Sequence, residues 1–445
     1  MRLTLLGGGG FRVPLVHSAL LRDTHDRRID EVVLHDVSET RLAAVEHILR
    51  RQAAGHSEPP RVRTTTDLDA ALDGADFVFS AIRVGGLEGR TADERVALDL
   101  GVLGQETTGP GGLAYGLRTV PVALDVAERV RRRAPAAWVI NFTNPAGMIT
   151  QAMQTVLGDR VMGICDSPIG LGRRAAHALG IDSAATHFGY SGINHLGWLH
   201  RLEHHGDDVL PQLIADPDLL LTLEEGRLFG PDWIASVGAL PNEYLYYYYF
   251  TRDAVAAIKG SAETRGEYLL RSQADFYAEV AAAPDRAYDL WTATRRARDE
   301  TYMAEAREEG EERDADDIAG GGYEGVALAL MAAIARNERA GMLLNVRNRG
   351  VLAGLPDDAV VEVPCTVDAS GPRPLAAEPL TGPSLGLVQQ VKAVEELTIG
   401  AAREGSESLA LQALSLHPLV DSVTTARTLL QGYRDRIPTL DAVFR

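Results

Sequence analysis

The chain has 445 residues, 45% hydrophobic and 24% charged, enough for two or three domains with sizeable cores. Its formal net charge of −18 argues against nucleic acid or an anionic membrane as a primary partner. The two cysteines, Cys165 and Cys365, lie far apart, which excludes a disulfide framework and points to a reducing cytoplasm.

The first expected strand, Leu3–Leu6, opens the chain without the apolar segment of a secretory leader. No apolar run approaches the roughly 20 residues of a membrane-spanning helix. Further strands are expected at Glu31–His35, Arg61–Thr65, Asp76–Ala81, Ala137–Asn141 and Val161–Ile164. Amphipathic segments such as SETRLAAVEHILRRQ and GLRTVPVALDVAERVRRR fill the intervals, the alternation that builds a parallel sheet from βαβ units. After about Ile181 the rhythm changes. ATHFGYSGIN and GWLHRLEHHGDDVL read as antiparallel strands, with His205, Gly206 and Asp207 as a hairpin turn. Helical segments follow, then a strand at AVVEVPCTVDASGP, and the chain closes on an amphipathic helix near SLALQALSLHPLV. The stretch RDETYMAEAREEGEERDADDIAGGGYEG reads as a solvated helix and mobile loop rather than a functional lid. The expected architecture is α/β: a Rossmann-type parallel sheet over 1–165, then an α+β domain with antiparallel strands over 166–445. This is a lactate/malate dehydrogenase-like layout.

Four glycines, Gly7, Gly8, Gly9 and Gly10, follow the first strand and precede a helix that can start near Pro14. Such glycines let the backbone approach a pyrophosphate lying on the helix N-terminus. Asp36 ends the second strand, where a ribose-binding carboxylate belongs and where an acid favours NAD over NADP. The spacing departs from a strict GxGxxG, and a ligand-free Gly-rich turn is the competing reading.

Cys165 follows the last parallel strand, at a carboxyl end of the sheet where ligands bind. Alone it reads as a buried apolar filler, and His195 in GINHLGW reads as a structural histidine. NFTNPAG, with Asn144, brings a polar loop to the same rim. Thiolate, imidazole and further oxygen ligands suit Mn²⁺, Fe²⁺, Co²⁺ or Ni²⁺ with open positions. A structural zinc site would need more Cys or His at tight spacing. AIRVGGLEGRTADE and GQETTGPGG add Arg83, Arg90, Arg95 and Glu106 to the rim. LPNEYLYYYYF holds five tyrosines between Tyr244 and Tyr249, a pattern that more often packs than reacts.

Together with VEVPC, these segments closely resemble glycoside hydrolase family four, in the same order from Arg2 to about Val420. Within the family the set looks most like the 6-phospho-β-glucosidase branch. The resemblance implies an O-glycosyl hydrolase that uses NAD and a divalent metal, usually Mn²⁺, on a phosphorylated disaccharide or glucoside. It also implies a homodimer or homotetramer. The implied chemistry is hydride removal from C3, loss of the C2 proton to a tyrosinate, elimination of the C1 oxygen, water addition and hydride return. On the matched positions Cys165 and His195 hold the metal, Tyr244 is the base and Glu106 tunes it. Arg90, Asn144 and Arg265 bind substrate. A phenol of pKa about 10 needs nearby metal charge to serve as a base near neutral pH.

Two positions depart from the pattern. Asp166 stands where β-acting relatives usually carry Asn, and an acid there in α-acting relatives protonates the leaving oxygen. It could equally cap the helix opening at Pro168, so the linkage stays open at this point. Gly10 replaces a usual Ser, which removes a phosphate-side hydrogen bond and keeps the turn. A 2-hydroxyacid dehydrogenase would share the layout but leave Cys165, Asn144 and Tyr244 without a role. A non-enzymatic NAD-binding regulator would need neither metal ligands nor a base.

Overall fold

The computed structural model describes residues 1–300 and 322–445, and most of the acidic stretch expected at 298–325 lies outside the described residues. Six strands build the N-terminal half: β1 (Arg2–Leu6), β2 (Glu31–His35), β3 (Arg61–Thr65), β4 (Phe77–Ser80), β5 (Trp138–Asn141) and β6 (Val161–Gly163). They run parallel in the order β3-β2-β1-β4-β5-β6. That order reverses direction between β1 and β4, which opens a crevice at their carboxyl ends. The expected strands are present with ends shifted by at most one residue.

The second half contributes β7 (Thr186–Ile193), β8 (Leu196–His204), β9 (Asp207–Asp208), β10 (Leu240–Pro241), β11 (Ala340–Arg347), β12 (Val360–Asp368) and β13 (Gly371–Pro374). These strands continue the same sheet rather than forming another. β11 pairs antiparallel with β6 through Asn345 and Gly163, and β12, β7, β8 and β10 follow outward. The turn between β8 and β9 places His205 (φ +53°) and Gly206 (φ +91°) at its centre, the left-handed pair a tight hairpin needs. The expected strand near Val360 is half of a hairpin whose return is β13. The sequence reading missed β10, β11 and β13. It also closed the chain too early, since the Glu407–Leu416 helix is followed by another at Val423–Arg436.

Strand alternation divides the apolar side chains between two cores. Phe77, Phe79, Ile140 and Met162 face one core, while Val78, Val139 and Val161 face the other. The second core is closed by the Pro110–Arg133 and Ala146–Leu157 helices and by C-terminal helices through Val394, Leu414 and Tyr433. The chain's end thus packs against the sheet its beginning forms. No helix among the described residues is long and apolar enough to cross a membrane.

Candidate active site

The crevice is a cavity of about 1890 Å³. Its walls carry Gly7, Gly10, Asp36, Arg90, Glu106, Asn144, Cys165, Asp166, His195, Tyr244 and Arg265. The structure therefore brings almost all the expected site residues to one place. Gly8, Gly9 and Arg95 are the exceptions, and Arg95 pairs with Glu267 outside the cavity lining (2.7 Å). A Cβ on Gly8 would sit 2.7 Å from the Leu34 Cβ, and one on Gly9 would sit 2.6 Å from the Arg41 Cβ. Their small size lets the loop lie against β2 and the following helix, while Gly7 and Gly10 face the cavity.

The loop's backbone is tied down closely. The amides of Gly7 and Gly8 both donate to the His35 carbonyl, at 3.0 and 2.7 Å. Gly7 adopts φ +81°, which favours glycine. Asp36 Oδ2 accepts the Gly9 amide (3.0 Å) and Oδ1 the Ser38 amide (3.0 Å), so the carboxylate is held in one orientation. Three donors from the second half hold three loop carbonyls. Tyr277 Oη donates to Gly9 (2.7 Å), Trp291 Nε1 to Phe11 (2.8 Å) and Tyr323 Oη to Arg12 (3.0 Å). Sequence reasoning missed this clamp, because its donors stand 268 to 311 residues from the loop.

Glu106 bridges two guanidiniums, Arg83 at 2.6 Å and Arg90 at 2.8 Å. Burial would push its carboxyl up, but Arg83 and Arg90 overcome that and hold it down at about 2. Its contribution to stability is complete above its ordinary value of 4.5 and is lost as pH falls through about 2. Glu106→Gln should therefore cost about 3 kcal/mol near neutral pH. Urea unfolding across acid pH should show that difference narrowing progressively below about 4.5; a gap that does not change with pH would contradict the bridge.

Arg90 also pairs with Glu94 (2.9 Å), whose other oxygen accepts the Gly266 amide (2.8 Å). That contact seats the helix beginning at Arg265, which is capped by Thr264 and Glu267 in a reciprocal capping box. Arg265 Nη2 donates to the Arg298 carbonyl (2.8 Å). Arg298 sits among Arg12, Arg265 and Arg90, and burial followed by these like charges pushes its pKa well below the ordinary value. A guanidinium stays charged near neutral pH even so. Sequence reasoning gave neither Arg12, in the glycine loop, nor Arg298, at the head of the acidic stretch, a part in the site.

Cys165 and His195 reach the same cavity from opposite kinds of backbone. Cys165 lies in the turn between β6 and the Ser167–Ala178 helix. His195 is the left-handed residue (φ +64°) between β7 and β8. Burial drives the imidazole down to about 3, so it is neutral and carries a lone pair. Burial, Glu362 and Asp166 drive the thiol well up. Asp166 occupies the cap position of the Ser167–Ala178 helix but makes no side-chain cap hydrogen bond. Glu243 Oε1 accepts from Ser167 Oγ (2.5 Å), while its Oε2 is buried without a hydrogen-bond partner. A neutral imidazole and a soft sulfur are donors that suit a divalent cation, whose charge would also release the thiol proton. Among the described residues no three His, Cys, Asp or Glu side chains converge on one point. A metal here would keep open positions. The Tyr244 ring stacks flat on His195, centroids 3.6 Å apart and planes within 2°.

Residues 2–181 match the model of the family 4 glycosyl hydrolases, and residues 190–420 match that of the family's C-terminal domain. A probable 6-phospho-β-glucosidase of Bacillus subtilis is 32% identical over 97% of this chain and 95% of its own. A 6-phospho-α-glucosidase of Leptotrichia buccalis is 29% identical over 96% of each. The 6-phospho-β-glucosidase of Thermotoga maritima, solved with manganese, NAD⁺ and glucose-6-phosphate, superposes with a TM-score of 0.81. It is 28% identical and covers 98% of each chain. On this evidence the chain belongs to glycosyl hydrolase family 4, and it is an O-glycosyl hydrolase.

Proposed function

We propose that this enzyme hydrolyses 6-phospho-β-glucosides with bound NAD and a divalent cation, Mn²⁺. The observation that carries the reading is one cavity lined at once by the glycine loop, the Cys165/His195 pair, Tyr244 and a group of guanidiniums. When bound, the nicotinamide and cation supply reversible oxidation at C3 and the Lewis acidity that makes the C2 proton removable. The chain's own residues do the rest. Gly7, Gly10 and Asp36 seat the dinucleotide, with Gly8 and Gly9 giving the loop its shape. Cys165 and His195 hold the cation. Tyr244 takes the C2 proton, and Glu106, which bridges Arg83 and Arg90, tunes that base. Arg90 and Asn144 orient the sugar. Arg265, with Arg12 and Arg298, offers a dianionic phosphate a concentrated positive field inside an acidic protein. Asp166, free of any capping duty, is the acid for the leaving oxygen.

The same Asp166 favours a second reading, in which the scissile linkage is α. Four nitrophenyl glucosides, α and β, with and without a 6-phosphate, separate the two when tested with Mn²⁺, NAD⁺ and a reductant. The expected result is turnover of the β-phosphate alone, abolished by chelation, with no net NADH. Preference for the α-phosphate would overturn the linkage, and equal use of unphosphorylated glucosides would overturn the arginine assignment. We further assign 1–165 to cofactor binding, 166–445 to substrate and subunit contacts, and a homodimer or homotetramer to the assembly, which light scattering measures directly.

A further inference from the structure

The GQETTGP segment carries a second device beyond Glu106. Gln105 Oε1 accepts two backbone amides, those of Thr107 and Thr108, each at 2.6 Å. Two obligate donors on one atom fix that atom as the amide oxygen, so it cannot donate. The Thr107 hydroxyl also donates to it, at 3.1 Å. The same hydroxyl oxygen lies 3.2 Å from His195 Nδ1. With its hydrogen on Gln105, the oxygen meets Nδ1 with a lone pair. That arrangement matches the tautomer in which Nδ1 carries the imidazole proton and Nε2 the lone pair.

We propose that Thr107, oriented by Gln105, is a positioning residue that locks the His195 tautomer so that Nε2 is presented to the metal. The inference rests on His195 being a ligand, as proposed above. Neutral imidazole otherwise exchanges its proton between the two nitrogens, and a ligand whose lone pair is on the wrong one must retautomerise before it binds. The lock acts through geometry alone. Thr107 touches neither cofactor nor substrate in this scheme.

The test uses the NAD-loaded enzyme labelled with ¹⁵N-histidine and stripped of metal by chelation. His195→Ala identifies the His195 signals among the 12 histidines. In the parent enzyme Nδ1 should give a pyrrole-type shift and Nε2 a pyridine-type shift. Thr107→Val, which keeps the shape but loses the hydroxyl, should abolish that preference. Thr107→Ser should restore it. Mn²⁺ binding, followed by the electron paramagnetic resonance of free Mn²⁺, should weaken about 10- to 100-fold in Thr107→Val and recover in Thr107→Ser. A protonated Nε2 in the parent enzyme would overturn the inference. So would unchanged Mn²⁺ affinity in Thr107→Val when His195→Ala loses binding, and that outcome would leave the metal assignment standing. If His195→Ala binds Mn²⁺ like the parent, the metal assignment itself fails and this inference with it.

Discussion

Tyr244→Phe is expected to lower kcat by about 100- to 10,000-fold, the range for removing a positioned general base. The substitution is conservative by design. Phe keeps the flat stack on His195 and the volume in the cavity wall, and the Asn242 side chain still caps the turn by accepting the Tyr244 amide at 3.0 Å. Only the phenol oxygen is lost. Mn²⁺ and NAD⁺ affinities should therefore stay near those of the parent, which separates loss of the base from loss of the site. In D₂O the parent enzyme should place deuterium at C2 of the product. The variant should lose that label in step with turnover. Full activity in the variant, or unlabelled product from the parent, would remove Tyr244 from the mechanism.

Asp93→Ala should cost about 3–5 kcal/mol of stability, the penalty for stranding a buried charge. Asp93 and Arg118 are both completely buried and joined through two hydrogen bonds of 2.7 Å. Arg118 Nε also donates to the Val84 carbonyl (2.9 Å), so the pair anchors the loop that carries Arg83 and leads into the Gly86–Asp99 helix, which carries Arg90. Glycines at the end of that loop and in the helix make room for it. A Cβ on Gly85 would stand 3.0 Å from Arg118 Nε, and one on Gly89 3.1 Å from its Nη2. Removing both charges together, as Asp93→Leu with Arg118→Met, should cost markedly less, because nothing is left buried and unpaired. Urea unfolding of Asp93→Leu, Arg118→Met and the double variant measures the coupling. Additive losses would show that the pair does not act as a unit.

What could be read from the sequence follows from how local the signals are. The glycine loop, Asp36 at the end of β2 and Cys165 beyond β6 each depend on a strand end and its next few residues. Local pattern reaches that far. β11 was lost because Met342 to Val346 form a nearly continuous apolar run beside β6, and such a run carries no alternation to tell strand from helix. Arg298 and Arg12 were invisible for a different reason. Their meaning arises only when the chain folds four guanidiniums together, and no spacing announces it. Thr107 shows the intermediate case. Its segment stood out, but its role depends on which atom of Gln105 faces two amides, a matter of three-dimensional geometry.

The three aromatic donors on the glycine loop bear on how such an enzyme could be re-engineered. Tyr277, Trp291 and Tyr323 make the loop a joint product of distant stretches of chain, and their hydrogen bonds go to backbone carbonyls that any loop sequence would offer. Side chains of the loop and of the β2 end can therefore be exchanged while the anchors stay in register. Transplanting the amino-terminal half into another scaffold would carry over the glycines and leave behind the grips that shape them.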